Sequence, residues 1–325
     1  MPTPAAPHRI PLAVTWRGGV HLAGTPIWCD ARRARDVCFV SHAEAGSRAR
    51  HGQLIATRET LALVTTADCA RRPESALPVP YGRPFSLGDV RLELFRSGHA
   101  AGAASLSVQR DGRCAVYAGP VNPHGGGLGG EADVRRCDEL VVDARYAHPR
   151  YAFPPWQQAR DDVVAFCHAV LARGSTPVLL VTSAAKGLDV ARQLTNLRPV
   201  RGHRAIHRAA RRLRAAGGDP PQIKRWAGKL PRGEIVVWLA DAPWRERAGV
   251  RALVSGQACD AARVDALAVD AAFAWSNCAD YGELLRYIEA TGAERVFAVG
   301  RHAEFLASML DEVTPIGGAR QLSLF

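Results

Sequence analysis

Between Arg201 and Gly218 the chain places Arg201, Arg204, Arg208, Arg211, Arg212 and Arg214 with no acidic residue among them, and Lys224, Arg225, Lys229 and Arg232 follow closely. On an α-helix, the three-to-four-residue spacing of Arg204, Arg208, Arg211 and Arg212 brings their guanidinium groups to one side. Such a stripe can neutralise several phosphates, and Trp226 offers a ring on which a base can stack. Arg204, Arg208, Arg211, Arg212, Arg214, Lys224 and Arg225 are therefore the predicted nucleic-acid-binding residues. The alternative is a solvated helix face with Trp226 in the core.

Whole-chain charge points the same way. The 325 residues carry a formal net charge of +11 and a sequence pI near 9.7, which raises the local concentration of a polyanion and favours nucleic acid over an acidic small molecule. Lysine occurs only at positions 186, 224 and 229, so codon bias toward arginine accounts for part of this charge. The eight cysteines never form a C-x-x-C pair, which excludes a zinc ribbon and a dithiol redox motif. Hydrophobic residues make up 47% and charged residues 22%, near globular averages, and no segment approaches the apolar run that spans a bilayer. With no signal-peptide pattern in Met1–Leu12, a soluble cytoplasmic protein without membrane partners is expected.

Two textures must position these groups. The first half reads as short strands and turns: Val90–Phe95 alternates, Ala104–Val108 and Cys114–Tyr117 flank an Asp111-Gly112 hairpin signal, and Asp138–Asp143 is a short apolar strand ending in a carboxylate. An antiparallel, sandwich-like region is predicted there. From Trp156 the pattern changes to alternating helices and apolar strands, the mark of parallel α/β units. Helices are predicted over Trp156–Arg173, Gly187–Leu197 and Ile206–Ala216, with buried strands Pro177–Thr182 and Ile235–Ala240. A return segment offers a helix at Tyr281–Thr291, a strand at Arg295–Val299 and a helix at Ala303–Glu312.

Taken in order, several segments resemble the motifs of the metallo-β-lactamase/β-CASP nucleases, and among these the bacterial ligase-associated DNA exonucleases, which are mRNA 3′-end processing exonuclease-like. They are Cys38–Ser47 (CFVSHAEAGS), His51-Gly52 with Ile55–Leu61 (IATRETL), Ser97–Ala103 (SGHAAGA), Tyr117–Pro120 (YAGP), Val141–Tyr146 (VVDARY), Ser276–Asp280 (SNCAD) and Arg295–Arg301. The resemblance covers residues from about 15 to 310. It implies an αββα metallo-β-lactamase sandwich in an α/β chain, with an inserted β-CASP α/β domain. The implied divisions are 1–155 for the first part of the sandwich, 156–252 for the insertion and 253–314 for the return segment; beyond them, the Gly317-Gly318 pair marks 315–325 as a flexible tail.

In that family two divalent ions activate a water and clamp the scissile phosphate. By the same resemblance, this chain keeps His42, His99 and Asp143, while the other ligand positions hold Glu44, Gly46, Ser47, Pro120, Cys278 and Gly300. Glycine and proline have no side-chain donor and serine is a poor ligand, so a dinuclear site cannot be assembled. The remnant positions are His42, Glu44, His99, Asp143 and Cys278, with His42, His99 and Asp143 the candidate metal ligands. No cofactor is expected. The alternative is one zinc or manganese ion, since imidazole, carboxylate and thiolate together bind zinc.

The last five residues, Gln321, Leu322, Ser323, Leu324 and Phe325, match the Q-L-S/D-L-F peptide with which bacterial polymerases and repair proteins dock on the DNA polymerase III β sliding clamp. Three apolar side chains would anchor in a groove while the glutamine amide fixes register. The alternative is a terminal strand on the protein's own core. The expected function is that of a pseudoenzyme: a catalytically degenerate nuclease fold that binds DNA (or RNA) and is linked to the clamp as a scaffold in replication or repair, with a DNA ligase or other repair proteins as further partners. Two alternatives stay open, an active DNA/RNA exonuclease with an altered or single-metal site, and an RNA-processing accessory subunit.

Overall fold

The computed structural model describes residues 12–45, 49–64, 75–244, 246 and 248–317. Short alternating segments at the start of the chain build a first, six-stranded sheet from β1 (Ala13–Trp16), β2 (Val20–Ala23), β3 (Ile27–Cys29), β4 (Val37–Phe39), β5 (Gln53–Ala56) and β6 (Ser75–Pro78), which lie in sequence order. Strands β1 to β3 pair antiparallel and β3 to β6 pair parallel. Helix α1 (Arg58–Val64) follows β5, and its Leu61 and Val64 pack with Cys38, Val40 and Leu54 on one face of this sheet.

A second sheet begins with the meander β7 (Phe85–Leu87), β8 (Val90–Arg96), β9 (Ala104–Arg110) and β10 (Arg113–Gly119), followed by β11 (Glu139–Asp143). The β9–β10 turn has Asp111 at φ 49 and Gly112 at φ 76. These are the two left-handed positions that an Asp-Gly hairpin turn requires. The two sheets face each other across Ile27, Phe39, Ile55, Leu92, Leu94 and Leu106, and burying each such side chain contributes about 2 kcal/mol.

The third sheet is wholly parallel. It is built from α2 (Trp156–Ala172), β12 (Pro177–Val181), α3 (Ala184–Leu194), β13 (Val200–Gly202), α4 (Arg204–Ala215), β14 (Ile223–Arg225), β15 (Ile235–Leu239), β16 (Val250–Val254), α5 (Ala261–Leu267) and β17 (Ala271–Phe273). The strand order is β14-β13-β15-β12-β16-β17. Helices α2, α3 and α4 cover one face through Val163, Cys167, Leu188, Leu194, Ile206 and Leu213. The other face carries Trp226, Trp238 and Trp244. The chain then returns through α6 (Tyr281–Thr291), β18 (Arg295–Val299), α7 (Ala303–Met309) and β19 (Val313–Pro315) to complete the second sheet, with α6 and α7 packed on its outer face.

The molecule is therefore a mixed α/β fold with three sheets and seven α-helices among the described residues. The antiparallel first half is found for β1 to β3 and for β7 to β10, but not for β3 to β6, which pair parallel. β11, β18 and β19 join the second sheet in parallel, because their connections run through helices and long segments rather than hairpins. Helix α3 starts three residues before the predicted Gly187, where the Ser183 hydroxyl accepts from the Lys186 N–H; such a cap contributes about 1 kcal/mol. Helix α7 ends at Met309, short of the predicted Glu312. No helix among the described residues is long and apolar enough to cross a membrane.

Candidate functional site

Three loops that follow strand ends bring His42, His99 and Cys278 together. His42 follows β4, where Ser41 hydrogen-bonds to Asp30 through its N–H at 2.8 Å and its hydroxyl at 2.5 Å. With that hydroxyl proton committed to Asp30, the Ser41 oxygen accepts from His42 Nδ1 at 2.8 Å. His99 follows β8, in a loop fastened to α1 because Thr57 and Thr60 both donate to the Gly102 carbonyl, at 2.6 and 2.8 Å. Gly102 has φ 77, and a Cβ there would lie 2.6 Å from the Glu59 side chain, so only glycine permits this approach. The IATRETL and SGHAAGA segments are thus one structural joint.

The His99 ring donates from Nδ1 to the Asn277 carbonyl at 2.8 Å, and the Cys278 sulfur lies 3.3 Å from the same nitrogen. Both histidines therefore keep Nε2 unengaged by the residues that orient them, the arrangement that hydrogen-bonded support gives a metal-binding imidazole. Their rings meet edge to face at 4.9 Å. His42, Glu44 and His99 can each bring one ligand atom within 4.8 Å of the others, a grouping that could hold an ion.

Asp143, at the end of β11, has a different fate. The Arg145 side chain donates to its Oδ2 from Nε at 3.0 Å and from Nη2 at 2.7 Å, and the Arg145 N–H donates to its Oδ1 at 2.9 Å. A Cβ at residue 300 would lie 3.2 Å from the same Oδ1. The carboxylate thus faces a guanidinium and a glycine. Asp143 is not brought into the His42–Glu44–His99 grouping, and Pro120 offers no donor atom. Gly46, Ser47 and Gln321–Phe325 lie outside the described residues.

Electrostatics divide the site. Burial, helped by the charges of His99 and Arg145, holds the His42 pKa well below the usual imidazole range. Burial also opposes charge on His99, but the Cys278 thiol group and Glu44 outweigh it and lift its pKa to about 8. The Cys278 thiol is raised by burial and lowered more strongly by His99 and Arg145, so its net shift is downward. Asp30, which the sequence pattern does not single out, is pushed up to about 6 by burial, although Ser41 and the Tyr117 hydroxyl at 2.9 Å both donate to it.

A cavity of about 150 Å³ opens between this cluster and the third sheet, lined by Glu44, His99, Arg145, Tyr146, Lys186 and Cys278 among others. Here α3 is tied to the sandwich. Its Ala185 N–H donates to Glu44 at 3.2 Å, the Lys186 ammonium to Asn277 Oδ1 at 2.6 Å, and the Asp189 carboxylate accepts from the Leu128 N–H at 2.6 Å and from the Asn277 amide. Arg145, Lys186, Asp189 and Asn277 escaped prediction because a helical lysine or an Asn-Cys pair is unremarkable until the fold brings them to one place.

The predicted nucleic-acid residues separate into two sets. Helix α4 buries Ile206, Ala209, Ala210 and Leu213, so Arg204, Arg208 and Arg211 lie on its exposed side. Arg225, exposed on β14, lies near His207 and Arg211, whose like charges lower the His207 pKa after burial has done so. Arg204, Arg211 and Arg225 have no acidic partner among the described residues. By contrast, Lys224 and Arg201 both pair with Glu234, Arg214 donates to the Pro220 carbonyl at 3.3 Å, and Arg212 is half-buried with Nη1 lacking a hydrogen-bond partner among the described residues. Trp226 is packed against Trp238 and Trp244, with ring centroids 5.7 and 5.4 Å away. That is the core alternative for this side chain.

No family model matches the chain. Among curated proteins it is similar to one from Opitutus terrae (strain DSM 11246 / JCM 15787 / PB90-1) named "Probable DNA ligase", at 28% identity over 329 residues, covering 97% of this chain and 32% of that protein. The chain thus spans about a third of that relative's length. Among solved structures it is similar to a protein of unknown function from Enterococcus faecalis V583, with a TM-score of 0.56 and 12% identity over 81% of this chain and 74% of that one. That likeness is one of fold alone.

Proposed function

We propose that this chain is a catalytically degenerate member of the metallo-β-lactamase/β-CASP nuclease family that binds DNA in replication or repair, with the sliding clamp as its anchor. One observation carries the reading: the Asp143 carboxylate is already held by the Arg145 guanidinium, at 2.7 Å, in a site where Pro120 and Gly300 stand at two further positions without a side-chain donor. A fixed guanidinium supplies there the positive charge that a divalent ion would otherwise bring, and it cannot generate a bound hydroxide. The facing sheets flanked by α1 on one side and α6 and α7 on the other agree with an αββα sandwich covering 1–155 and 253–314. The parallel sheet, starting after Trp156, agrees with an inserted domain near 156–252.

DNA is favoured over RNA by the name of the 28% identical relative. Arg204, Arg208, Arg211 and Arg225 would supply phosphate contacts, with Arg212, Arg214 and Lys224 behind them. A ligase or another repair protein would share the complex, and Gln321–Phe325 would dock on the clamp. The decisive experiment measures the metal content of tag-free protein and its action on labelled DNA and RNA with manganese or zinc, with and without chelator. Chelator-insensitive binding without cleavage is expected; stoichiometric metal with chelator-sensitive degradation would falsify the reading. For the tail, deletion of Gln321–Phe325 is expected to abolish co-purification with the clamp and leave DNA affinity unchanged, and clamp binding that survives the deletion defeats that part.

A second reading has its own support. His42, Glu44 and His99 form a grouping able to hold one ion, and the oriented imidazoles suit it. In that case one zinc or manganese ion would serve an altered exonuclease site, and the same metal and cleavage assays decide between the two.

A further inference from the structure

Lys186 is one of only three lysines in a chain whose remaining basic side chains of the Lys+Arg total of 42 are arginines. It is the buried one, 5% exposed, whereas Lys224 and Lys229 are exposed. An arginine would serve for charge alone, but it cannot act as an amine nucleophile. The Lys186 ammonium nitrogen is fixed at 2.6 Å from Asn277 Oδ1 and 4.5 Å from the centre of the Trp275 ring. It lines the cavity of about 150 Å³ at the junction of the sandwich and the third sheet, and about that volume accepts a group of benzene size.

We propose that Lys186 is a nucleophilic amine that captures an aldehyde of the sugar class as an imine. The neutral Nζ adds to the carbonyl carbon, one of its protons passes to the carbonyl oxygen to give a neutral carbinolamine, and loss of that hydroxyl with the second nitrogen proton as water leaves the carbon–nitrogen double bond, with no change of oxidation state. Two features beyond the lysine fit this chemistry. The cavity presents Ser183, Ser255, Tyr146 and Arg145 to a hydroxylated chain, and Arg145 binds Asp143 through Nε and Nη2 only, with no hydrogen bond from Nη1 among the described residues. Burial also draws the Lys186 pKa down to about 7, against the opposing pull of Asp189, which is how an enzyme-type amine is kept partly unprotonated.

The aldehyde could be carried by the ring-opened sugar of an abasic site in DNA or by a free sugar phosphate, and only the first source rests on the DNA reading above. The test treats the full chain with borohydride in the presence of either a duplex containing one abasic site or free deoxyribose 5-phosphate, then maps the reduced adduct by peptide mass. An adduct on Lys186 with both, lost in Lys186→Met and in the charge-preserving Lys186→Arg, is the expected result. An adduct on Lys186 with the free sugar phosphate alone supports the amine and counts against the DNA source; duplex binding, measured separately by anisotropy, then shows whether DNA binding itself fails. No borohydride-dependent adduct on wild-type protein, or one mapping to Lys224, Lys229 or the terminal amine, overturns the proposal, as does equal trapping by folded Lys186→Arg.

Discussion

The cleft beside the sandwich and the outer face of α4 are both rich in charge, yet they dispose of it in opposite ways. In the cleft, Asp143 has Arg145, Glu44 has the α3 N-terminus, Asp189 has Asn277 and the Leu128 N–H, and Lys186 has Asn277. On α4 and β14, Arg204, Arg211 and Arg225 have no acidic partner among the described residues. Burial makes the difference. A charge removed from water must be paired inside the protein, whereas an exposed guanidinium is already solvated and remains available to a polyanion at no cost to the fold. The first region is therefore set by the needs of the fold, whereas the second is the surface proposed to meet nucleic acid.

The sharpest way to break this contrast is to remove one member of the buried set. Asp189→Ala strips the acceptor from the Leu128 N–H and the Asn277 amide and leaves Lys186 without its counter-charge, so a loss of about 3 kcal/mol in chemical denaturation is expected. A loss near zero would mean that the cleft is not a paired network. On the other side, the combined change of Arg204, Arg211 and Arg225 to alanine should leave the melting temperature within a few degrees. It should lower the slope of log affinity for duplex DNA against log salt by about 2 to 3, at about 0.9 for each phosphate no longer neutralised. An unchanged slope removes these residues from the interface.

Acidity provides the third test. The Asp30 pKa in the folded state, about 6, lies above its ordinary value of 3.8, so its contribution to stability is complete below about pH 4 and is lost as pH rises through about 6. Substitution by asparagine removes that dependence. The stability of wild-type protein relative to Asp30→Asn should therefore fall by about 2 kcal/mol between pH 4 and pH 7. A difference that stays constant across this range shows that Asp30 is ionised throughout.

What the sequence could reveal follows the range of the forces involved. The Asp111-Gly112 turn, the helix at Tyr281–Thr291 and the strand at Arg295–Val299 are encoded by local preference and appear at the predicted places. The stripe on α4 is local too, since helical spacing alone sets its faces. Sheet direction is not local, because whether β11 runs parallel or antiparallel to β10 depends on where the chain travels between them. The cleft is least legible of all. Glu44 finds its partner at Ala185 and Asp189 at Leu128 and Asn277, pairings that no spacing rule links, and Arg145 is informative only once its side chain is seen on Asp143.

The smallest effect separates the two regions most finely, because it uses neighbouring residues. Lys224 and Arg225 are adjacent on β14 and both exposed, but among the described residues only Lys224 has an acidic partner, donating to Glu234 at 2.9 Å. Glu234 also holds Arg201, and these cations lower its pKa against the effect of burial. Lys224→Ala should cost less than about 1 kcal/mol of stability, as exposed ion pairs do. It should also change the DNA salt slope by less than Arg225→Ala, since a lysine engaged with Glu234 releases fewer counterions on binding and its loss frees that carboxylate to Arg201 alone. If the two alanine variants shift the slope equally, pairing with Glu234 does not hold Lys224 back from phosphate, and the presence of an acidic partner ceases to be the property that sets the proposed nucleic-acid surface apart.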